Sequence, residues 1–485
     1  MKIPAHILKI VKDLQVSGYE AYIVGGCVRD VLMGREPQDW DITTSALPEQ
    51  ILKIFTDAKY ENIFGTVILP IRAMAKEGEV KGQLEDVVEI TTYRSEQGYS
   101  DRRHPDSIRF ETELDKDLER RDFTINALAL DPSDHEKIID YFTGQKDIKL
   151  KIIRAVGEPS DRFKEDALRM LRAVRFSAQL GFELEPKTQR AIVKLAGSLK
   201  FVSKERIRDE FIKILASDRP AEGIFLLHDC KLLQYILPEL EDGVGIKPAR
   251  HHIYPIFEHN VFALKHCPSP EWPVRLAALL HDVGKPKTRK IIGGIATFYN
   301  HEYVGAKITD RIMSRLKFAN DDRERVVNLV KNHMFYYNVG EVTAASVRRL
   351  IVKVGRENLQ DLIHLRVADR LGSGIPKAMP YKLRHLQYML EKVQNDPVSV
   401  KMLNINGDDL MRILEIKPSP KIGAILDVLL SEVIEDPELN AAPYLSERAK
   451  KLDELNLEEL RARAREVIEE KREEDDKNIK KQFKV

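Results

Sequence analysis

Two aspartates one residue apart, Asp39 and Asp41, follow shortly after a glycine pair, Gly25-Gly26. On an extended strand, residues two apart point the same way, so both carboxylates would share one side and Trp40 would take the other. Carboxylates so placed suit a pair of Mg²⁺ ions that hold a triphosphate and activate an attacking hydroxyl. The glycines close the apolar run Tyr22-Ile23-Val24, which reads as a strand, a tight turn and a helix start. Glycine lets the backbone approach a phosphate, a helix start offers N–H groups, and Arg29 adds a charged fork. Further on, Arg121 would meet a phosphate, while Asp122 and Asn126 would bond to a ribose hydroxyl. Asp166, Arg169, Arg172 and Arg175 recur on steps of three, which keeps neighbours on one helical face. Asp166 accepts and Arg169 donates, so the pair imitates a base edge. Cytosine and adenine present an amino donor beside a ring-nitrogen acceptor. Uracil and guanine present a carbonyl beside an N–H, and a good bidentate contact discriminates by ~1–3 kcal/mol. Asp-x-x-Arg is also a common surface ion pair, and the residues alone leave both readings open.

The elements that must position these groups change character along the chain. Helical periodicity runs from Ile7 to about Gly18, and Pro48 suits the first turn of another helix after Asp41. Thr66–Leu69 and Val87–Thr92 are β-rich runs that extend the sheet. They make Glu89 either a third carboxylate beside Asp39 and Asp41 or an outward polar residue on an alternating strand. Tyr93–Arg109 is polar and reads as a long loop, and Ile138–Gly144 closes the sheet region. From about Lys151 the pattern is helical. Ser160–Phe176 has apolar residues at helical spacing, amphipathic helices span Lys187–Leu240, and Pro238–Pro248 reads as a linker. The mixed-charge run Leu452–Val485 reads as a long solvated helix.

Bulk properties narrow the class. At 485 residues the chain has room for about three core-burying domains. Charged residues make up 32%, the net charge is +1, and an RNA partner would depend on where the basic residues lie. Cys27, Cys230 and Cys267 are far apart, which favours neither a disulfide framework nor a cysteine metal site. The N-terminus lacks a signal-peptide pattern and no apolar run approaches membrane-spanning length, so a cytoplasmic protein with no membrane partner is expected.

Gly-Gly-Cys-Val-Arg-Asp followed by Asp-Trp-Asp-Ile-Thr-Thr resembles the signature of the polymerase-β-like nucleotidyltransferases, in the class II branch of tRNA CCA-adding enzymes and bacterial poly(A) polymerases. Arg120-Arg121-Asp122-Phe123-Thr124-Ile125-Asn126-Ala127 is similar to that family's second motif, and Glu165-Asp166-Ala167-Leu168-Arg169 to its nucleotide-templating motif. The resemblance decides for base reading at Asp166 and Arg169, and implies that Gly26, Arg29, Arg121, Arg172 and Arg175 contact nucleotide. Tyr99–Pro105 resembles the family's flexible loop, associated there with the change from adding C to adding A. Asn404–Leu410 and the Pro418-Ser419-Pro420 turn resemble the tail that grips the tRNA body. The implied reaction adds C, C and A to the tRNA 3′ end from CTP and ATP with Mg²⁺. Addition of A alone and poly(A) polymerisation are the related alternatives.

A separate chemistry follows. His259 in Glu258-His259-Asn260, His281-Asp282-Val283-Gly284-Lys285 and Asp369 in Ala368-Asp369-Arg370 resemble an HD-superfamily phosphohydrolase. By that resemblance His259, His281, Asp282 and Asp369 form one metal site, and His301 and His333 would hold a second metal. Imidazole and carboxylate donors without thiolate suit Mg²⁺, Mn²⁺, Fe or Ni²⁺. A metal phosphohydrolase with an RNA-binding head is therefore the reading from another class. The expected architecture is α+β. A nucleotidyltransferase head with a small mixed sheet spans 1–150, a helical neck and body 151–245, an HD metal-binding domain 246–375, and a helical, tRNA-binding tail 376–485.

Overall fold

The computed structural model describes residues 3–61, 65–72, 84–98, 107–134, 137–247, 253–335, 343–374, 381–393 and 396–464. The chain divides into two units: Met1–Asp242 with Ile312–Phe318, and Gly243–Arg311 with Ala319–Val485.

In the first unit the apolar run ahead of the glycine pair is strand β1 (Ala21–Val24), preceded by α1 (Ala5–Val16). Strands β2 (Asp41–Thr44), β3 (Lys59–Tyr60), β4 (Thr66–Arg72), β5 (Leu84–Thr92), β6 (Arg94–Gln97), β7 (Ser107–Phe110), β8 (Ala129–Asp131) and β9 (Lys137–Ile139) follow. Seven of them form one mixed sheet in the order β3-β4-β5-β2-β1-β8-β9. β1 runs antiparallel to β2 and β8, whereas β2 and β5 are parallel. Period-two alternation separates the two faces. Ile23, Ile42, Val88, Ile90 and Leu130 join a core with Ile7, Ile10, Val11 and Leu14 of α1, which recur at helical spacing. Burying each of these aliphatic side chains contributes about 1.5–3 kcal/mol. Val24, Tyr93 and Ala129 belong to the other face, with Leu114 and Leu118. Asp41 is the register partner of Val24 and therefore stands on that second face.

The helices of this unit are α2 (Gly26–Leu32), α3 (Pro48–Ile54), α4 (Leu114–Glu119), α5 (Gly144–Leu150), α6 (Pro159–Glu165), α7 (Leu168–Leu180), α8 (Pro186–Leu195), α9 (Lys204–Leu215), α10 (Pro220–Asp229) and α11 (Pro238–Glu241). Helix α7 packs against α9 and α10. Three expectations are corrected here. The run from Tyr93 is a β6–β7 hairpin at its ends, with Arg94 opposite Phe110 and Gln97 opposite Ser107; Tyr99–Pro105 lies outside the described residues. The stretch Ser160–Phe176 is two helices, because Asp166 takes φ −142° and ψ 108° and its carboxylate accepts from the Leu168 N–H at 3.0 Å. That local bond competes with helix continuation. The supposed linker begins with a helix, α11.

Among its described residues the second unit is helical apart from a two-stranded ribbon at Lys290–Ile292 and Ile295–Thr297. Its helices are α12 (Ile256–Lys265), α13 (Trp272–Leu280), α14 (Lys285–Thr288), α15 (His301–Arg315, of which the residues from Ile312 on belong to the first unit), α16 (Asn320–Asn332), α17 (Ala344–Val354), α18 (Leu359–Gly372), α19 (Tyr381–Val393), α20 (Gly407–Leu414), α21 (Pro420–Glu435) and α22 (Ala442–Asp453). Helices α12, α13, α16 and α18 pack together around the histidines. Gly284 fits between helices because a Cβ there would lie 2.1 Å from the His301 carbonyl. The C-terminal run is also corrected. Residues 457–464 are helical, and Leu460 is buried with Leu445 and Leu452 rather than solvated, while 465–485 lie outside the described residues. Among the described residues no helix is long and apolar enough to cross a membrane.

Candidate active site and metal centre

In the head, Asp41 opens β2 and pairs in register with Glu89 of the parallel strand β5. Parallel partners point to the same side, so the two carboxylates share one face. Asp39 lies just ahead of β2 rather than on it, while Trp40 turns into the core at 7% exposure. The carboxylates feel one another. Burial raises the Asp41 carboxyl above its ordinary value, Arg121 opposes this, and Asp39 adds to it. Glu89 is raised by burial, then by Asp41, Glu61 and Asp39. Crowded carboxylates of this kind fit a divalent cation, whose charge would relieve their repulsion. Asp39, Asp41 and Glu89 are the residues that would hold it.

Above them sits Gly25, at φ 87° and ψ −139°, where a Cβ would lie 2.9 Å from Arg121 Nη1 and 3.5 Å from Asp41 Oδ2. Only glycine adopts that backbone without strain. Gly25→Ala should lower stability by about 1–3 kcal/mol and displace Arg121, measurable by chemical denaturation; an unchanged midpoint would refute the close approach. Arg121 is anchored from beneath. Its Nη2 lies 3.4 Å from Asp117 Oδ2, which accepts from Thr43 Oγ1 at 3.2 Å. Asp117 Oδ1 takes Arg120 at 2.8 Å. Burial would raise the Asp117 carboxyl, but Arg120 and Arg121 hold it below its usual value.

Arg29 is mostly buried and committed. It donates to Asp30 at 2.9 and 3.0 Å and to Asn126 Oδ1 at 2.7 Å. Asn126 Nδ2 donates to Asp122 at 3.1 Å, and Asp122 Oδ2 takes Arg172 at 2.6 Å. Burial alone would raise the Asp122 carboxyl; Arg172 and Asn126 instead bring it to about 2. Phe176 gathers the cations, with the guanidinium carbons of Arg175, Arg29 and Arg172 at 4.4, 5.2 and 5.4 Å from its ring centre. Arg175 donates to Glu210 at 3.0 Å, and burial pulls its pKa down to about 10. Thus Arg29, Asn126, Asp122 and Arg172 join in one hydrogen-bonded chain, Arg175 meets Arg29 and Arg172 around the Phe176 ring, and Gly26 lies against Arg29, where a Cβ would be 3.5 Å from its Nη2. Burial pushes the thiols of Cys27 and Cys267 to about 11 and that of Cys230 to about 12, so none offers a thiolate at neutral pH.

Asp166 and Arg169 are arranged differently from the expected single face. Arg169 donates to Glu165 at 2.5 Å, and Asp166, in the joint between α6 and α7, takes Arg206 of α9 at 2.6 Å. Arg206, Glu210 and Asp117 are residues that sequence reasoning missed. Asp117 had a local signal, since it stands three and four residues before Arg120 and Arg121 on α4. Arg206 and Glu210 meet their partners only through tertiary packing.

In the second unit two imidazole pairs flank one carboxylate. Asp282 Oδ2 lies 3.2 Å from His259 Nε2 and 3.4 Å from His281 Nε2. Asp282 Oδ1 lies 3.2 Å from His301 Nε2 and 3.8 Å from His333 Nε2. Asp369 Oδ1 completes the first group at 3.4 Å from His259 and 3.6 Å from His281. The Nδ1 atoms of His281, His301 and His333 face the carbonyls of Ala278, Phe298 and Val330 at 2.8, 2.8 and 2.7 Å. A carbonyl only accepts, so each of these Nδ1 atoms carries a proton, and each Nε2 can ligate a metal only after losing any proton of its own. The Nε2 atoms converge: those of His259 and His281 are 3.1 Å apart, and those of His301 and His333 are 3.3 Å apart. Such pairs, with a bridging carboxylate, fit two divalent cations. Burial pulls His333 well below the usual imidazole value and the neighbouring histidines deepen the shift. Burial opposes the charged form of Asp282, yet Lys285 and His281 hold it well below its ordinary range.

Comparison with known proteins follows the same division. The poly(A) polymerase head domain matches residues 21–154, the probable RNA- and SrmB-binding site of polymerase A matches 181–243, and the HD domain matches 261–373. The chain is 34% identical over 449 residues to the CCA-adding enzyme of Ligilactobacillus salivarius, covering 92% of the chain and 96% of that protein. It is 38% identical over 333 residues to the A-adding tRNA nucleotidyltransferase of Deinococcus radiodurans, covering 65% and 74%. Among solved structures, the Bacillus stearothermophilus CCA-adding enzyme in complex with CTP matches with a TM-score of 0.67 at 27% identity, over 94% of this chain and 100% of that one. With a nucleotidyltransferase head and an HD domain in one chain, the protein belongs to the class II tRNA nucleotidyltransferase and poly(A) polymerase family.

Proposed function

We propose that this nucleotidyltransferase adds C, C and A to tRNA 3′ ends from CTP and ATP without a nucleic-acid template. The observation that carries the reading is the in-register pair Asp41 and Glu89, with Asp39 beside it, beneath the Gly25–Arg121 approach. In this reading Mg²⁺, held by those carboxylates, supplies the charge that neutralises the triphosphate and lowers the pKa of the attacking 3′-hydroxyl. The chain's own residues supply position. Gly25 and Gly26 admit the phosphates, Arg121 faces them from its Asp117 anchor, and Asp122 and Asn126 stand where a ribose would bond. Asp166 and Arg169 read the base edge. No covalent enzyme intermediate is required, since positioning and charge neutralisation suffice for in-line transfer. In the second unit, His259, His281, Asp282 and Asp369 form one proposed divalent metal site, with His301 and His333 on the far side of Asp282.

Addition of A alone is the second reading, favoured by the 38% identity to the Deinococcus A-adding enzyme. The long alignment with the Ligilactobacillus CCA-adding enzyme supports the first. The test incubates the protein with Mg²⁺, CTP and ATP and two tRNA transcripts, one lacking CCA and one lacking only the final A. Extension of the first by three nucleotides and then a stop is the expected result. Extension of only the second, by one A, replaces it with the A-adding reading, and a growing A ladder would mean poly(A) polymerisation.

A further inference from the structure

We propose that Asp147, a buried carboxylate on α5, positions the turn that recognises the ribose of the incoming nucleotide, and so sets the preference for ribonucleotides over deoxyribonucleotides. The inference rests on Asp122 and Asn126 being the ribose contacts. Between them runs a single 3₁₀ turn, Thr124–Asn126. The Asn126 N–H donates to the Phe123 carbonyl at 2.9 Å, and the Ala127 N–H to the Thr124 carbonyl at 3.1 Å. So short a turn, with the poor hydrogen-bond alignment of its class, does not hold two side chains in place by itself. Asp147 supports it. Thr124 Oγ1 donates to Asp147 Oδ2 at 2.6 Å, and Arg154 donates through Nε to Oδ2 at 3.0 Å and through Nη2 to Oδ1 at 3.4 Å. Asp147 and Thr124 are 1% and 2% exposed, so water does not soften these bonds. A charged acceptor and a guanidinium fork make them strong and directional.

The backbone closes the same circuit. The Thr124 N–H donates to the Arg154 carbonyl at 2.9 Å, the Val156 N–H donates to the Asp122 carbonyl at 3.2 Å, and Phe123 bridges antiparallel to Ala155. Thr124 is thus joined to Arg154 twice, once through the main chain and once through Asp147. Arg154 is held in turn by Glu185, whose Oε1 lies 3.6 Å from Nη1 and which caps α8 by accepting from the Thr188 N–H at 2.6 Å. Helix α5 lies directly against the turn, since a Cβ on Gly144 would stand 2.2 Å from the Thr124 carbonyl oxygen. Asp147 acts through Thr124 and is a positioning residue. Asp166 and Arg169 have other partners, so loss of Asp147 should loosen ribose recognition and leave base reading intact.

The experiment uses the full chain and a tRNA transcript lacking CCA, with CTP, dCTP and UTP each as the nucleotide offered. Asp147→Asn keeps the volume but puts an amide where one acceptor oxygen stood. It should lower the ratio of kcat/KM for CTP over dCTP about tenfold, because slight misplacement of a positioned group carries a cost of that order, and leave the CTP/UTP ratio unchanged. Thr124→Val, which loses the hydroxyl, should do the same. Thr124→Ser, which keeps it, should stay near the wild type. Combining Asp147→Asn with Thr124→Val should lower the ratio no further. If the CTP/dCTP and CTP/UTP ratios fall together, or only the melting temperature falls, Asp147 is a structural prop and the proposal is overturned. Should Asp147→Asn fail to fold, the two Thr124 variants carry the test, and equal CTP/dCTP ratios in them refute it. Asn126→Ala separates the two layers. If it lowers the CTP/dCTP ratio while Asp147→Asn and Thr124→Val do not, the proposal alone fails; if it leaves the ratio intact, the ribose assignment fails and takes the proposal with it.

Discussion

Asp41→Asn should abolish nucleotide addition, by about a thousandfold or more in kcat, and leave the head at least as stable as before. Asparagine keeps the shape and one acceptor but not the charge that a divalent cation needs, and several kcal/mol of transition-state stabilisation go with it. The stability expectation follows from the raised pKa of Asp41, caused by burial and Asp39 against the pull of Arg121. An acid whose folded pKa lies above its unfolded value destabilises the fold once the pH passes the unfolded value, and this cost is complete above the folded one. Asparagine removes the cost, so the variant should gain stability at neutral pH, with the gain vanishing as the pH falls and Asp41 becomes protonated. Glu89 also loses a repulsive neighbour. Thermal melting across pH, beside a primer-extension assay, checks both halves. Retained addition would sink the assignment of Asp41, and a variant less stable at pH 7 than at pH 4 relative to wild type would contradict the charge crowding. Activity and stability are set against each other here, as at many functional sites.

The second large effect belongs to Asp282. Its two oxygens face different imidazole pairs, so one residue serves both groups. Asp282→Asn should strip the second unit of both divalent ions, whereas His301→Ala should cost only the ion on its own side. Even partners outside the coordinating shell typically cost 10–100-fold in metal affinity, and a bridging ligand should cost more than about a hundredfold. Elemental analysis after dialysis against Mn²⁺ or Ni²⁺ reads this directly: about two ions in the wild type, one in His301→Ala and none in Asp282→Asn. Full metal content in Asp282→Asn would disprove the bridge.

Much of this was legible in the sequence where chemistry is local. The glycine pair, the alternation around Trp40, the arginines before Asp122 and the order of histidines all depend on neighbours within a turn or a strand. The choice left open for Glu89 was not local. The parallel register of β5 on β2 puts Glu89 on the face of Asp41, while Glu89 is also the exposed polar residue between buried Val88 and Ile90. The break at Asp166 escaped because apolar spacing continues from Phe163 through Leu168, and periodicity does not see a side chain capturing a backbone N–H. The β6–β7 pairing was hidden under polar composition, which marks a loop but also suits an exposed ribbon. Leu460 shows the reverse error: charge density around it suggested a solvated helix, while its burial depends on α20, α21 and α22 arriving from elsewhere.

The placement of β1 bears on how the protein is made. β1 lies between β2, about twenty residues away, and β8, more than a hundred residues later, with Ile23 opposite Leu130. Pairings so distant in sequence close large loops and form slowly compared with local ones. On a ribosome, β1 and β2 can pair early, but the far side of β1 remains an unpaired edge until residues 129–131 have emerged. During that interval the nascent head exposes an apolar ladder ready to pair with any other strand. A chain truncated before Ala129 would carry that exposure permanently, and aggregation rather than mere inactivity is the outcome its topology dictates.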